Sequence, residues 1–154
     1  MKYNPIAEIK ELLVQAFAEE IKHSVSLSHH DCVLLRQDLI SLRVEDIKRC
    51  LPFVLIDLLE THTNDYRNIE DSDAVIRLLT PIETTSGGHP NATGLTRSEE
   101  EYVNQEQSKL FSAFSVGQAA SIAKWLEEAK NWEDLCFCRT QIEIAHRYWT
   151  QRAS

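Results

Sequence analysis

Hydrophobic residues recur every three or four positions over most of the chain, which is the spacing of one face of an α-helix. The clearest case is segment 4–22, where Asn4 is placed as an N-cap and Pro5 occupies the first helical position. The apolar stripe of this segment consists of Ile6, Ile9, Leu13, Phe17 and Ile21. No segment alternates hydrophobic and polar residues for long enough to indicate a strand. The pattern therefore predicts an all-α protein.

Segment 44–60 begins amphipathic and becomes apolar on nearly all sides, which predicts a central helix enclosed by others. Pro52 lies within it and lacks a backbone donor, so we expect a kink or a break near residues 48–50. Two shorter helices are expected near 31–41 and 73–79, the second ending ahead of Pro81 because the residue before a proline disfavours helical geometry.

The second half contains helix-start signals. Ser115 and Gln118 have the spacing of a capping box. The helix that follows has one apolar face, made of Ala119, Ile122, Ala123 and Leu126. A more polar helix is expected to open earlier, with a capping box of Thr96 and Glu99 or of Ser98 and Glu101.

The last helix is predicted from about Trp132 to Gln151. Its apolar stripe consists of Leu135, Cys138, Ile142, Ala145 and Trp149. The three tryptophans, Trp125, Trp132 and Trp149, are expected to pack at the junction of the final two helices. Together these elements predict a compact single domain, residues 1–154, built as a bundle of about five to seven helices.

A long connector is predicted between the two halves, at about 81–96. Its sequence TTSGGHPNATG, residues 84–94, holds three of the four glycines of the chain. A phosphate-binding loop of the P-loop type would need a preceding strand and a terminal lysine, and the sequence has neither there. Glycine and proline instead supply the backbone conformations that a turn requires, so we interpret this stretch as a passive connector.

The charge balance narrows the classes of partner. Sixteen Lys and Arg stand against 24 Asp and Glu, which gives a formal net charge of -8. The averaged field repels nucleic-acid phosphates and anionic lipids, so neither nucleic acid nor membrane is an expected partner. The amino-terminal segment does not resemble a secretory signal, and we expect a cytoplasmic protein. Its cysteines are expected to be buried free thiols: Cys32, Cys50, Cys136 and Cys138.

The negative charge is concentrated between residues 57 and 73, where Arg67 is the one basic residue. The acidic residues of this stretch are Asp57, Glu60, Asp65, Glu70, Asp71 and Asp73. Such a run is often only a solvated face, but it also attracts a basic partner. Asp57, alone within an apolar run, is expected to face solvent or a local donor rather than to be a buried acid.

Two Glu-x-x-His motifs, Glu20 with His23 and Glu143 with His146, have the spacing that ferritin-like di-iron bundles use. Such a site also needs a glutamate from each of two further helices, and both motifs are short enough to arise by chance. The SHHDC segment, residues 28–32, also concentrates metal-ligand types, but adjacent side chains diverge there. We therefore expect no metal and no cofactor.

Two segments resemble a family of small uncharacterised bacterial helical proteins: LPFVLIDLL, residues 51–59, and LFSAFSVGQAASIAKWLE, residues 110–127. That family pairs a Leu-Pro-centred helix with a later helix start of the form Phe-x-x-Ser/Thr-x-x-Gln. The matching residues are Leu51, Pro52, Phe114, Gln118 and Leu126. The resemblance covers about a third of the chain and implies a bacterial helical protein without implying an activity.

No nucleophile lies in a local catalytic signature, so the sequence favours a non-enzymatic role. The leading hypothesis is a protein–protein interaction module whose acidic surface binds another protein, with a basic partner favoured by the charge. One alternative is an immunity protein that neutralises a basic toxin. The other is a metal-binding helical-bundle enzyme that uses the two Glu-x-x-His motifs.

Overall fold

The computed structural model describes residues 5–22, 44–61, 75–76, 78–81, 105, 107–132 and 138–154. Within these ranges 87% of the residues are helical and none is in a strand, which confirms the all-α prediction. The helices with defined ends there are α1 (Pro5–Ala16), α2 (Ala18–Lys22), α3 (Val44–Thr61), α4 (Val116–Ala129) and α5 (Arg139–Arg152). Residues 75–76, 78–79 and 107–112 are also helical. The expected helix at 31–41, the connector at 84–94 and the capping signals at 96–101 lie outside the described residues.

The predicted helix over 4–22 is two helices, α1 and α2, so the prediction of one continuous helix is wrong. The break is at Phe17, although the Phe17 amide still donates to the Leu13 carbonyl (2.9 Å). At the break, the side-chain amide of Gln118 donates to the Ala16 carbonyl at 3.1 Å. A side chain that inserts at the hydrogen-bond ladder is a known cause of helix distortion. Of the predicted stripe, Ile9, Leu13 and Phe17 are buried, and Ile6 and Ile21 are partly buried against the core.

Helix α3 continues through Pro52, so the structure contains no break at residues 48–50. Pro52 is buried, as are Leu51 before it and Leu55 in the next turn. The expectation of a helix that becomes apolar on nearly all sides and is enclosed by others is also wrong. It keeps an exposed polar side, which consists of Glu45, Arg49, Asp57 and Glu60.

Helix α4 lies between α1 and α5 and packs against both. The predicted capping box at its start is confirmed: Ser115 Oγ accepts from the Gln118 amide at 3.1 Å, and Gln118 Oε1 accepts from the Ser115 amide at 2.9 Å. The predicted apolar face is buried. The cap fixes where α4 starts and leaves its apolar stripe facing two neighbouring helices.

Helix α5 begins at Arg139, so the prediction of a start near Trp132 is wrong. Trp132 instead follows the end of α4, where its amide donates to the Ala129 carbonyl at 3.1 Å. Its ring packs edge-to-face on Trp125, with ring centroids 5.4 Å apart. Cys138, Ile142, Ala145 and Trp149 are buried as predicted, whereas Leu135 lies outside the described residues.

Trp149 belongs to a different aromatic group from the other two tryptophans. Its ring centroid lies 4.9 Å from Phe111, 5.3 Å from Tyr148 and 5.5 Å from Phe114. Phe114 in turn contacts Phe17 edge-to-face at 6.0 Å. This chain of rings connects α5 to the end of α1, so the predicted clustering of all three tryptophans at one helix junction is only partly correct.

Gly117, in the first turn of α4, is a site where a substitution should stabilise the protein. A Cβ built there meets only Ser115 Oγ, at 4.0 Å, which is ordinary van der Waals contact. Alanine restricts the unfolded chain more than glycine and has the higher helix propensity, so we expect Gly117→Ala to raise the free energy of unfolding by about 0.4–1 kcal/mol. A urea titration should show a higher midpoint with an unchanged m-value. A lower midpoint would mean that the first turn of α4 requires glycine.

Candidate functional site

Of the predicted acidic surface between residues 57 and 73, the structure describes two members, both near the carboxyl end of α3. Asp57 and Glu60 are both exposed and are three positions apart, a spacing that places them on one side of the helix. The expected orientation of Asp57 away from the core is thus confirmed. The remaining members of the predicted surface, Asp65, Glu70, Asp71 and Asp73, lie outside the described residues.

The electrostatics of this helix end are unusual for a surface helix. Helix carboxyl termini carry a partial negative charge, and basic residues are favoured there. The last turn of α3 has no basic residue and instead contains Glu60, one turn after Asp57. The two carboxylates therefore add negative charge beside the negative end of the helix dipole, and Lys10 of α1 offsets part of it.

Glu60 forms an ion pair with Lys10 of α1. Both side chains are substantially exposed, at 38% for Lys10 and 49% for Glu60, so water and salt screen the pair. An exposed pair of this kind contributes about 0–1 kcal/mol. Lys10 therefore adds little to the stability of the fold through this pair.

The structure describes one residue of the first Glu-x-x-His motif, Glu20. Glu20 lies in α2 and contacts an amide and an ammonium group, while His23 lies outside the described part. In the second motif Glu143 is exposed and His146 is half-buried, both on α5. Within the described ranges no three His, Cys, Asp or Glu side chains form a group that could hold a metal ion.

Glu20 is part of a polar junction, which we define as Ser115, Gln118, Glu20 and Lys48. Glu20 Oε1 accepts a hydrogen bond from Gln118 Nε2 at 3.1 Å and pairs with Lys48 Nζ at 3.3 Å. The junction joins α2, α3 and the start of α4. The amide orientation of Gln118 follows from its partners, because the Ser115 N–H can only donate and the Ala16 carbonyl can only accept. The capping role of Gln118 could be predicted from the sequence. Its bonds to α1 and α2 could not, because no nearby residue indicates them.

A second set of polar contacts lies at the end of the helical residues 78–79. The Trp149 indole donates to the Leu79 carbonyl at 2.9 Å, and Gln107 Nε2 donates to the Thr80 carbonyl at 3.0 Å. Carbonyl groups at the end of a helix lack partners within it, so these side chains satisfy them. We assign this arrangement a structural role.

Cys50 and Cys138 are buried, as predicted, and neither is in a disulfide bond, whereas Cys32 and Cys136 lie outside the described residues. Reactive cysteines lie in accessible, electropositive environments, and a thiol within an apolar core is shielded from reagents. The two described thiols therefore act as small core residues.

Comparison with protein families, with curated proteins and with solved structures finds no match to this chain in any of the three. In the part of the chain that the structure covers, every helix is too short or too polar to cross a membrane.

Proposed function

We propose that this protein is a protein–protein interaction module and that its binding surface is centred on the carboxyl end of α3. The observation that carries this proposal is the exposure of Asp57 and Glu60 on one side of a helix end whose dipole is itself negative. A basic partner is attracted electrostatically to such a position, and the same attraction raises its rate of association.

The packing of α3 supports the same interpretation. Its apolar side is used within the core, where Leu55, Leu58 and Leu59 are essentially inaccessible. The surface that α3 offers to another molecule is consequently the polar side with the two carboxylates. A partner that binds there recognises charge more than apolar shape, so we expect strongly salt-dependent binding.

A pull-down with a double variant, Asp57→Lys with Glu60→Lys, tests the proposal. We expect partners captured from a lysate by the unmodified protein at low salt to be lost with this variant, because the local potential changes sign. Quantitative mass spectrometry of the captured proteins measures the loss.

The matched control is Glu127→Lys with Glu143→Lys. This variant changes the net charge by the same amount, and it also removes one exposed ion pair, that of Glu127 with Lys124. It should retain the partners. Equal loss with both variants would mean that only the overall charge of the protein matters, and the assignment to α3 would be wrong.

A further inference from the structure

Helix α2 is attached to the rest of the protein differently from the other described helices. None of its residues, Ala18–Lys22, is buried, whereas α1, α3, α4 and α5 each contribute fully buried side chains to the core. Ile21 is only partly buried where it packs against that core. The specific contacts of α2 with neighbouring helices include the two polar ones of Glu20, to Gln118 and to Lys48.

The residue that precedes α2 is held firmly. Phe17 is fully buried, its ring contacts Phe114, and its amide donates to the Leu13 carbonyl. Within segment 5–22, full burial of side chains therefore ends at Phe17, and among apolar side chains α2 keeps only the partial burial of Ile21. A segment with few buried apolar contacts opens at a lower free energy than the core beside it.

The contacts of Glu20 are also of a kind that solvent conditions weaken. The Glu20 side chain is 18% exposed and that of Lys48 is 25% exposed, so dissolved ions reach both groups. By contrast, the ring contacts of Phe17 depend on apolar burial, which moderate salt scarcely changes.

We propose that α2 opens as a unit: it separates from the neighbouring helices at Phe17 while the core stays folded. The contacts of Glu20 keep α2 in the closed position. Opening separates Glu20 from Lys48 and Gln118, so that an ammonium and a side-chain amide become accessible together. This device is independent of the surface at the end of α3.

Two backbone amides, one in α2 and one at Phe17, report on the opening. The Ile21 amide donates to the Phe17 carbonyl at 2.9 Å, and the Phe17 amide donates to the Leu13 carbonyl at the same distance. Hydrogen exchange followed by NMR should show faster exchange at Ile21 than at Phe17. With Glu20→Gln or Lys48→Gln, we expect Ile21 exchange to accelerate by about fivefold and Phe17 exchange by less than about twofold, because one partly buried ion pair is removed.

The matched control is Lys10→Gln, which removes the ion pair of Lys10 in α1 with Glu60 in α3. It should leave the Ile21 rate unchanged. Raising sodium chloride from about 0.05 to 0.5 M should accelerate Ile21 exchange in the unmodified protein and not in Glu20→Gln. Equal protection of Ile21 and Phe17 in the unmodified protein would overturn the proposal, as would equal effects of Glu20→Gln on both amides. The comparison of the two amides needs no variant, so it holds even if a variant does not fold.

Discussion

Trp149→Ala should lower the free energy of unfolding by about 3–5 kcal/mol, the usual cost of deleting a buried tryptophan side chain. Trp149 is fully buried, and its ring contacts Phe111, Phe114 and Tyr148. Its indole also donates to the Leu79 carbonyl, 70 positions away in sequence. A domain of this size is typically stable by about 5–15 kcal/mol, so the variant loses a large fraction of its stability. Urea unfolding monitored by circular dichroism measures the effect.

Two companion variants separate the causes. Trp149→Phe keeps an aromatic ring but leaves the Leu79 carbonyl without the indole donor, and should cost about 1–3 kcal/mol. Ile144→Ala, at a position of α5 that is 36% exposed, should cost less than about 1 kcal/mol. If Trp149→Ala cost no more than Ile144→Ala, the proposed core contacts of α5 would be wrong.

Gln118→Leu should lower the free energy of unfolding by about 2–4 kcal/mol, although the replacement is apolar and similar in size. Gln118 is 4% exposed. Its side-chain amide accepts a hydrogen bond from the Ser115 N–H and donates to the Ala16 carbonyl and the Glu20 carboxylate. Leucine removes the partner of the Ala16 carbonyl and a charge-assisted bond to Glu20, and buried groups left without a partner cost about 1–3 kcal/mol each. Urea unfolding again provides the measurement.

Ser115→Ala is the control for the Gln118 variant. It removes the capping hydroxyl of α4 and leaves the bonds of the Gln118 side chain to Ala16 and Glu20 in place, so it should cost about 1 kcal/mol. Equal losses for Ser115→Ala and Gln118→Leu would show that the contacts of Gln118 with α1 and α2 contribute nothing.

Features that depend on nearby residues followed from the sequence. The capping box of Ser115 and Gln118 could be predicted because a cap involves residues three positions apart, and the structure confirms it. The buried stripes of α1, α4 and α5 followed from helical periodicity for the same reason. The outward placement of Asp57 was also predictable, because an unpaired carboxylate is costly inside an apolar core.

Features that depend on residues far apart in the chain could not be predicted from the sequence. The break at Phe17 coincides with a bond between Gln118 and Ala16, which are 102 positions apart. The pairing of Glu60 with Lys10 spans 50 positions, and nothing local indicates it. Trp132, the predicted start of the last helix, instead packs onto Trp125 of α4, a contact that helical periodicity does not indicate.

The most direct test of the interaction surface is the affinity of one partner captured by the unmodified protein, measured by calorimetry at two salt concentrations. We expect the Asp57→Lys, Glu60→Lys variant to bind at least about tenfold more weakly at low salt, as is typical when charge pairs at an interface are reversed. The Glu127→Lys, Glu143→Lys variant should bind within about twofold of the unmodified protein, and high salt should reduce the difference between the two variants. Unchanged affinity for the first variant, at a salt concentration where the unmodified protein binds, would contradict the placement of the binding surface at the end of α3.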